Sequence, residues 1–358
     1  MRYKLFGSSG LRVSELCLGT MTFGESGGVG ASKEESLQIF ERFAQAGGNF
    51  IDTANMYTNG MSEKFLGEFL KGRRDEFVVA TKYSGSLRKG DLNAGGNHRK
   101  SLVQSVNRSL QQLDTDYIDL LWVHMWDGST PVEEIMRSLN SLVQTGKVLH
   151  IAVSDWPAWL VAQAQTIAKL HGWALFEALQ IEYSLVQRTP ERDLLPMARA
   201  FQLSVTPWST LGGGLLSGKY STEEDLKKLA ERRSEMFFEL SPEKMFAIVQ
   251  EVAEIANEVR RTSSQVALNW VRQQGCIPIL GVSKVSQLED NLAALEWLLS
   301  EEHLSRLNAI SSISLGFPHD FLKSKPVRNF FYGGTHDLVD WEPYIPSIHI
   351  NNQNINEQ

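Results

Sequence analysis

Short, continuous apolar runs recur along this chain, each followed by a longer stretch with helical spacing, and that alternation is what most limits the fold. Phe77-Val78-Val79-Ala80-Thr81-Lys82 and Tyr117-Ile118-Asp119-Leu120-Leu121-Trp122-Val123-His124 are two of the runs. Neither alternates apolar with polar as a half-solvated strand does, so both faces must be covered, as in a parallel sheet walled by helices. Read this way, the chain has strands at 15–21, 50–51, 77–82, 117–124, 148–154, 176–181, 203–208 and 276–280. Helices are expected at 33–46, 62–70, 98–113, 132–145, 158–171, 191–202, 242–260, 264–274 and 286–295. Eight strands alternating with at least eight helices close most economically into an α/β fold of the (α/β)8 barrel kind.

The ends of the chain fall outside that rhythm. Residues 3–14 hold two extended pieces around Gly7-Ser8-Ser9-Gly10, a hairpin able to plug one end of a barrel. A helix at 301–310 reads as an addition at the C-terminal side. Residues 1–315 then form the barrel, and 316–358 an irregular tail. Phe330, Phe331, Tyr332, Trp341 and Tyr344 in the tail are expected to pack on the body before the polar end, 351–358, frays.

Composition removes several classes of function. The 358 residues carry a formal charge of −7, which leaves no basic face for a nucleic-acid backbone. Cys17 and Cys276 stand far apart without ligand spacing, so neither a disulfide framework nor a metal cluster is expected. No window supplies the roughly 18 apolar residues of a membrane span. The expected setting is soluble, reducing and cytoplasmic, with the state of assembly left open.

Three expected strand ends carry a titratable side chain: Asp52 on the second strand, Lys82 on the third and His124 on the fourth. In a barrel these ends share one rim, and Tyr57 follows Asp52 by five residues on the next loop. A tyrosine with a pKa near 10 is a poor acid or base at neutral pH unless a cation stands beside it. Lys82 can lower the phenol, Asp52 can hold the lysine charged, and neutral His124 can orient a substrate oxygen. Such a set polarises and protonates a carbonyl but supplies no hydride, so a reducing cofactor has to share the rim. A barrel hydrolase built on Asp52 would need a second acid at a neighbouring strand end, and none stands there.

Gly48 to Tyr57, Lys82 at the end of Val78-Val79-Ala80-Thr81, and His124 at the end of Asp119-Leu120-Leu121-Trp122-Val123 resemble the catalytic tetrad of the aldo-keto reductases. The likeness runs in order through about residues 3–310 and is nearest to the aryl-alcohol-dehydrogenase-like and potassium-channel β-subunit branches. It implies a TIM barrel, NADPH-dependent reduction of aldehydes or ketones, and Asp52, Tyr57, Lys82 and His124 in the roles above. A cofactor-sensing regulatory subunit with weak reductase activity is the alternative it permits.

Under the same resemblance, Ser154, Asp155 and Gln180 face the carboxamide of the cofactor, although the family usually has Asn where Asp155 stands. Trp208 stacks on the nicotinamide, and Ser209, Leu211, Gly213 and Lys219 belong to the loop over the pyrophosphate. Gly281, Ser283, Lys284, Gln287, Asp290 and Asn291 resemble the adenosine site of the β-subunit branch, which keeps NADPH favoured and NADH possible. No glycine fingerprint of a dinucleotide-binding βαβ unit competes with this placement. The substrate mouth is expected to collect Phe23, Met56, Tyr83, Trp126 and Trp156, a lining suited to aromatic or apolar carbonyl compounds.

Overall fold

Residues 1–25, 30–220, 222, 224–225 and 240–340 are described by the computed structural model of the chain. Eight parallel strands lie side by side: β3 (Cys17–Gly19), β4 (Phe50–Asp52), β5 (Val78–Tyr83), β6 (Ile118–Val123), β7 (Val148–Ser154), β8 (Phe176–Glu182), β9 (Ser204–Trp208) and β10 (Ile279–Gly281). Their order is β10-β3-β4-β5-β6-β7-β8-β9, and Ile277 N–H donates to Val205 C=O at 2.8 Å to draw the two edges together. The result is a nearly closed (α/β)8 TIM barrel. β1 (Tyr3–Leu5) and β2 (Arg12–Ser14) pair antiparallel ahead of it, and Phe6 and Val13 seal its lower end.

Strand parity divides the packing. Phe50, Ala80, Leu120, Trp122, Ala152 and Ala178, all even-numbered, form the inner core with Cys17, Ile277 and Ile279. Odd-numbered Ile51, Val79, Leu121, Val123, Ile151, Val153, Leu179 and Ile181 face outward onto the helices. Both sets are buried, which is why the strands read as unbroken apolar runs. Toward the carboxyl ends of the strands the inner residues turn polar, with Asp52, Lys82, Ser154, Gln180 and Thr206 all buried there.

The helices α1 (Lys33–Gln45), α2 (Met61–Phe69), α3 (Arg99–Gln112), α4 (Val132–Gln144) and α5 (Ala158–His171) follow the expected spans within two residues. Ser32 caps α1 by accepting from Glu35 N–H at 3.2 Å. α7 (Pro242–Val259), α8 (Ser263–Gln273), α9 (Val285–Leu292) and α10 (Glu301–Ile310) complete the outer layer. The helix expected at 191–202 is split into a 3-10 turn, Thr189–Glu191, and a short α6, Leu194–Ala200. Pro190 and Pro196 explain the split, because starting at Leu194 places Pro196 in the first turn, where a missing N–H costs nothing. The last strand lies later than expected because Pro278 cannot donate to a ladder.

Between 316 and 340 the described residues hold two short helices, α11 (His319–Lys323) and α12 (Lys325–Tyr332), where an irregular tail was expected. Phe330 and Phe331, expected to pack on the body, are 82% and 66% exposed. Arg192 holds Ser314 C=O, and the His319 ring meets Asp193 at 3.1 Å. Trp341, Tyr344 and the polar end lie outside the described residues, as does most of the expected connection from 212 to 241. No helix among the described residues is long and apolar enough to cross a membrane.

Gly48 leads into β4 with no room for a side chain, since a Cβ would lie 2.2 Å from the buried Phe43 ring. Gly48→Ala is expected to destabilise the fold by about 1–3 kcal/mol in urea unfolding. A change within about 0.5 kcal/mol would contradict this packing.

Candidate active site

Lys82 is the centre of the rim. Its side chain is fully buried, and its ammonium donates to Asp52 Oδ2, to Thr53 C=O at 3.1 Å and to the Tyr57 hydroxyl at 2.9 Å. All three N–H donors are thus used. The second Asp52 oxygen accepts from Gln180 Nε2 at 3.0 Å, so the carboxylate is held on both sides. Gln180, expected from the resemblance at the cofactor, has an amide that is committed to this brace.

Local backbone brings Tyr57 back over Lys82. The turn Tyr57–Gly60 contains Thr58 and Asn59 with φ of 46° and 57°, and Thr58 Oγ1 ties it down by donating to Phe23 C=O at 2.7 Å. The ring then sits with Lys82 Nζ 4.7 Å from its centroid. His124 continues β6 by donating its N–H to Tyr83 C=O at 3.0 Å, and its imidazole meets the Tyr57 ring edge-on with centroids 6.2 Å apart.

The electrostatics separate an acid from its helpers. Burial works against the Lys82 ammonium, but the charges and hydrogen bonds of Asp52 and Tyr57 overcome it and push its pKa up. Burial also dominates at Tyr57 and raises the phenol above its ordinary value, with the Lys82 charge pulling the other way. This reverses the expectation of a lowered phenol: a cation shared with Asp52 offsets only part of the desolvation of phenolate. Tyr57 is therefore uncharged at neutral pH beside a fixed cation. His124 is driven down to about 3 by burial and by Lys82, so it is uncharged at neutral pH, with Nδ1 buried and unpartnered.

Next on the rim, Asp155 has a φ of 51° and accepts from Trp208 Nε1 at 3.2 Å and from Ser154 Oγ at 3.1 Å. It is exposed at the surface yet crowded by protein around its carboxyl. That crowding pushes its carboxyl up to about 6 against the two hydrogen bonds, and water on the open side moderates the effect. Trp208 is half-buried above the inner core. Gly212, Gly213 and Gly214 all have positive φ, so the turn after Ser209 and Leu211 presents bare backbone, with Lys219 exposed beyond it.

Past β10, Gly281 is exposed with open space where a Cβ would go. Ser283 N–H donates to Gln287 Oε1 at 2.9 Å and Lys284 is exposed. Val285 N–H donates to Glu35 Oε1 at 2.8 Å, so the start of α9 already holds one carboxylate. Asp290 is turned toward α8, accepting from Thr262 Oγ1 at 3.0 Å and Gln265 Nε2 at 2.8 Å, and Asn291 is buried behind it. Among the described residues no group of three or more His, Cys, Asp or Glu side chains is arranged to hold a metal.

The substrate-mouth expectations divide. Met56 is 40% exposed at the rim and Trp126 is partly buried there. Tyr83, Trp156 and Phe23 are corrected: they are 0%, 2% and 0% exposed and belong to the outer, helix-facing cores. Parity explains Tyr83, since an inward Lys82 turns its neighbour outward, where its hydroxyl donates to Asn97 C=O at 3.4 Å. Trp156 packs on Phe176 with centroids 6.1 Å apart, and Phe23 on Phe69 at 6.4 Å. The exposed Trp159, four residues past Asp155, is the aromatic that the sequence reading left out.

Because Asp155 is raised above the ordinary carboxylate value, the stability linked to its proton is complete below that value and is lost as pH climbs through about 6. Asp155→Asn has no proton to lose. Its urea midpoint relative to the parent is expected to improve from about pH 4 to about pH 7; an equal offset at both would contradict the shift.

The description "Aldo/keto reductase family" belongs to a family model that matches residues 15–312. A norsolorinic acid reductase of Aspergillus flavus is 39% identical over 338 residues, covering 91% of this chain and 85% of that protein. A putative aryl-alcohol dehydrogenase of Saccharomyces cerevisiae, AAD14, is 38% identical and covers 89% of each. The norsolorinic acid reductase stcV of Emericella nidulans is 40% identical over 90% of this chain and 84% of its own length. With the barrel and its rim in hand, the chain belongs to the aldo/keto reductase family of oxidoreductases.

Proposed function

We propose that the protein reduces aldehydes or ketones to alcohols with NADPH, with NADH as a weaker substitute, and that aromatic or apolar carbonyl compounds are its substrates. The observation that carries the reading is the Lys82 ammonium 2.9 Å from the Tyr57 hydroxyl, with Asp52 behind it. A bound nicotinamide supplies the hydride. The residues suited to hold it are the half-buried Trp208 with Ser154 and Asp155, the bare backbone at Gly213 with Ser209, Leu211 and Lys219, and Gly281, Ser283, Lys284 and Gln287 at the end of β10. Exposed Lys219 suits the pyrophosphate that both cofactors carry, and exposed Lys284, at the expected adenosine end, suits the additional phosphate of NADPH.

The remaining chemistry falls to the chain's own side chains. His124, neutral with its proton on Nε2, donates to the carbonyl oxygen and fixes its direction. Tyr57 gives its proton to that oxygen as negative charge develops, and the Lys82 cation holds the phenolate left behind. Asp52 and Gln180 keep Lys82 from following the proton. Met56, Trp126 and Trp208 give the mouth an apolar, aromatic rim, and the aryl-alcohol dehydrogenase names of relatives agree with such substrates.

Tyr57→Phe keeps the ring and loses the proton. Turnover of an aromatic aldehyde, followed at the nicotinamide absorbance band, is expected to fall roughly 100- to 10,000-fold, with the NADPH dissociation constant within about threefold of the parent. Undiminished kcat/KM would overturn the assignment.

A further inference from the structure

An exposed indole stands beside the rim with no part in the chemistry above. Trp159 lies in the first turn of α5 and is 61% exposed, although Trp is among the side chains that gain most from burial. It is not loose. Trp126, two residues past His124, presses its ring edge-on to Trp159 with centroids 6.0 Å apart and planes at 89°. The two indoles extend the aromatic surface outward from His124.

A groove of about 640 Å³ begins at Trp159, within the range of small-molecule sites. Pro157, Trp159 and Ala162 form one wall, and Thr189, Leu194 and Met197 the other. The first wall is Pro157 with the opening turns of α5, after β7, and the second is the 3-10 turn Thr189–Glu191 with α6, after β8, so both walls begin past the carboxyl ends of their strands, the end that carries Tyr57. The Trp126–Trp159 contact is what links the groove to the rim. Arg192 and Asp193 also line the groove, so it is charged along one edge and apolar along Trp159, Leu194 and Met197, where an aromatic ring can be taken by stacking and dispersion.

Length narrows the occupant. From Tyr57 to His124 is one ring contact of 6.2 Å, and from Trp126 to Trp159 another of 6.0 Å. The two-residue step between them adds about 7 Å of chain at most. An occupant that meets both Tyr57 and Trp159 has to pass His124 and Trp126 on the way, a path that calls for more than one ring. We infer that Trp159 and this groove form a distal subsite for the remote ring of a polycyclic aromatic carbonyl substrate, making Trp159 a specificity-determining residue. This inference rests on the carbonyl-reductase reading.

The test compares para-biphenylcarbaldehyde with butanal, using the parent enzyme, Trp159→Ala and Trp159→Phe with NADPH. Trp159→Ala is expected to lower the biphenyl-to-butanal ratio of kcat/KM by roughly 10-fold, through KM for the biphenyl substrate, and Trp159→Phe to restore most of it. A role in folding alone would move both substrates together and leave the ratio unchanged; a ratio within about twofold of the parent overturns the subsite. Calorimetric titration with biphenylmethanol is independent of turnover. Binding by the parent that Trp159→Ala weakens roughly 10-fold supports the subsite even where no aldehyde is reduced, an outcome that would sink the reductase reading instead. Equal binding by both proteins overturns it.

Discussion

A lysine ammonium sealed inside a barrel is the constraint around which this protein is arranged. Moving such a charge out of water costs several kcal/mol, and it persists only where its donors meet acceptors of good geometry. Lys82 meets that condition with the Asp52 carboxylate, the Thr53 carbonyl and the Tyr57 hydroxyl. Asp52 in turn needs a partner for its other oxygen, and Gln180, from a strand on the far side of the ring, supplies it. Four segments of the chain are fixed relative to one another by the needs of one cation.

The same cation divides the labour of the site. It cannot make Tyr57 an ionised base at neutral pH, because desolvation of the phenolate outweighs it. In the proposed reaction it would make the loss of a proton from Tyr57 tolerable as a substrate oxygen takes that proton. His124, kept neutral by burial and by the same charge, offers a hydrogen bond without a second full charge in the cavity. The arrangement favours donation of a proton over its abstraction, in keeping with carbonyl reduction.

Much of this was legible in the sequence. Unbroken apolar runs required a sheet covered on both faces, and titratable residues at three successive strand ends pointed to one rim. What was not legible depends on side-chain direction and on tertiary competition. Tyr83 follows Lys82 and so must face outward, a consequence of strand parity that composition at a strand end conceals. Trp156 and Phe23 are aromatic in the right places along the chain, yet the helix layer claims them. The direction of the Tyr57 shift depends on how much water the fold removes, which no motif records. Phe330 and Phe331 of α12 show the reverse error, since they were expected to pack on the body and are exposed.

The most direct test of this account is the pH dependence of kcat/KM for carbonyl reduction in Lys82→Met beside the parent. Removing the cation should lower kcat/KM by roughly 100-fold or more and move the alkaline limb, where Tyr57 has lost its proton, to higher pH. An unshifted limb with kcat/KM within about threefold of the parent would mean that Lys82 does not support the phenol, and the account would fail.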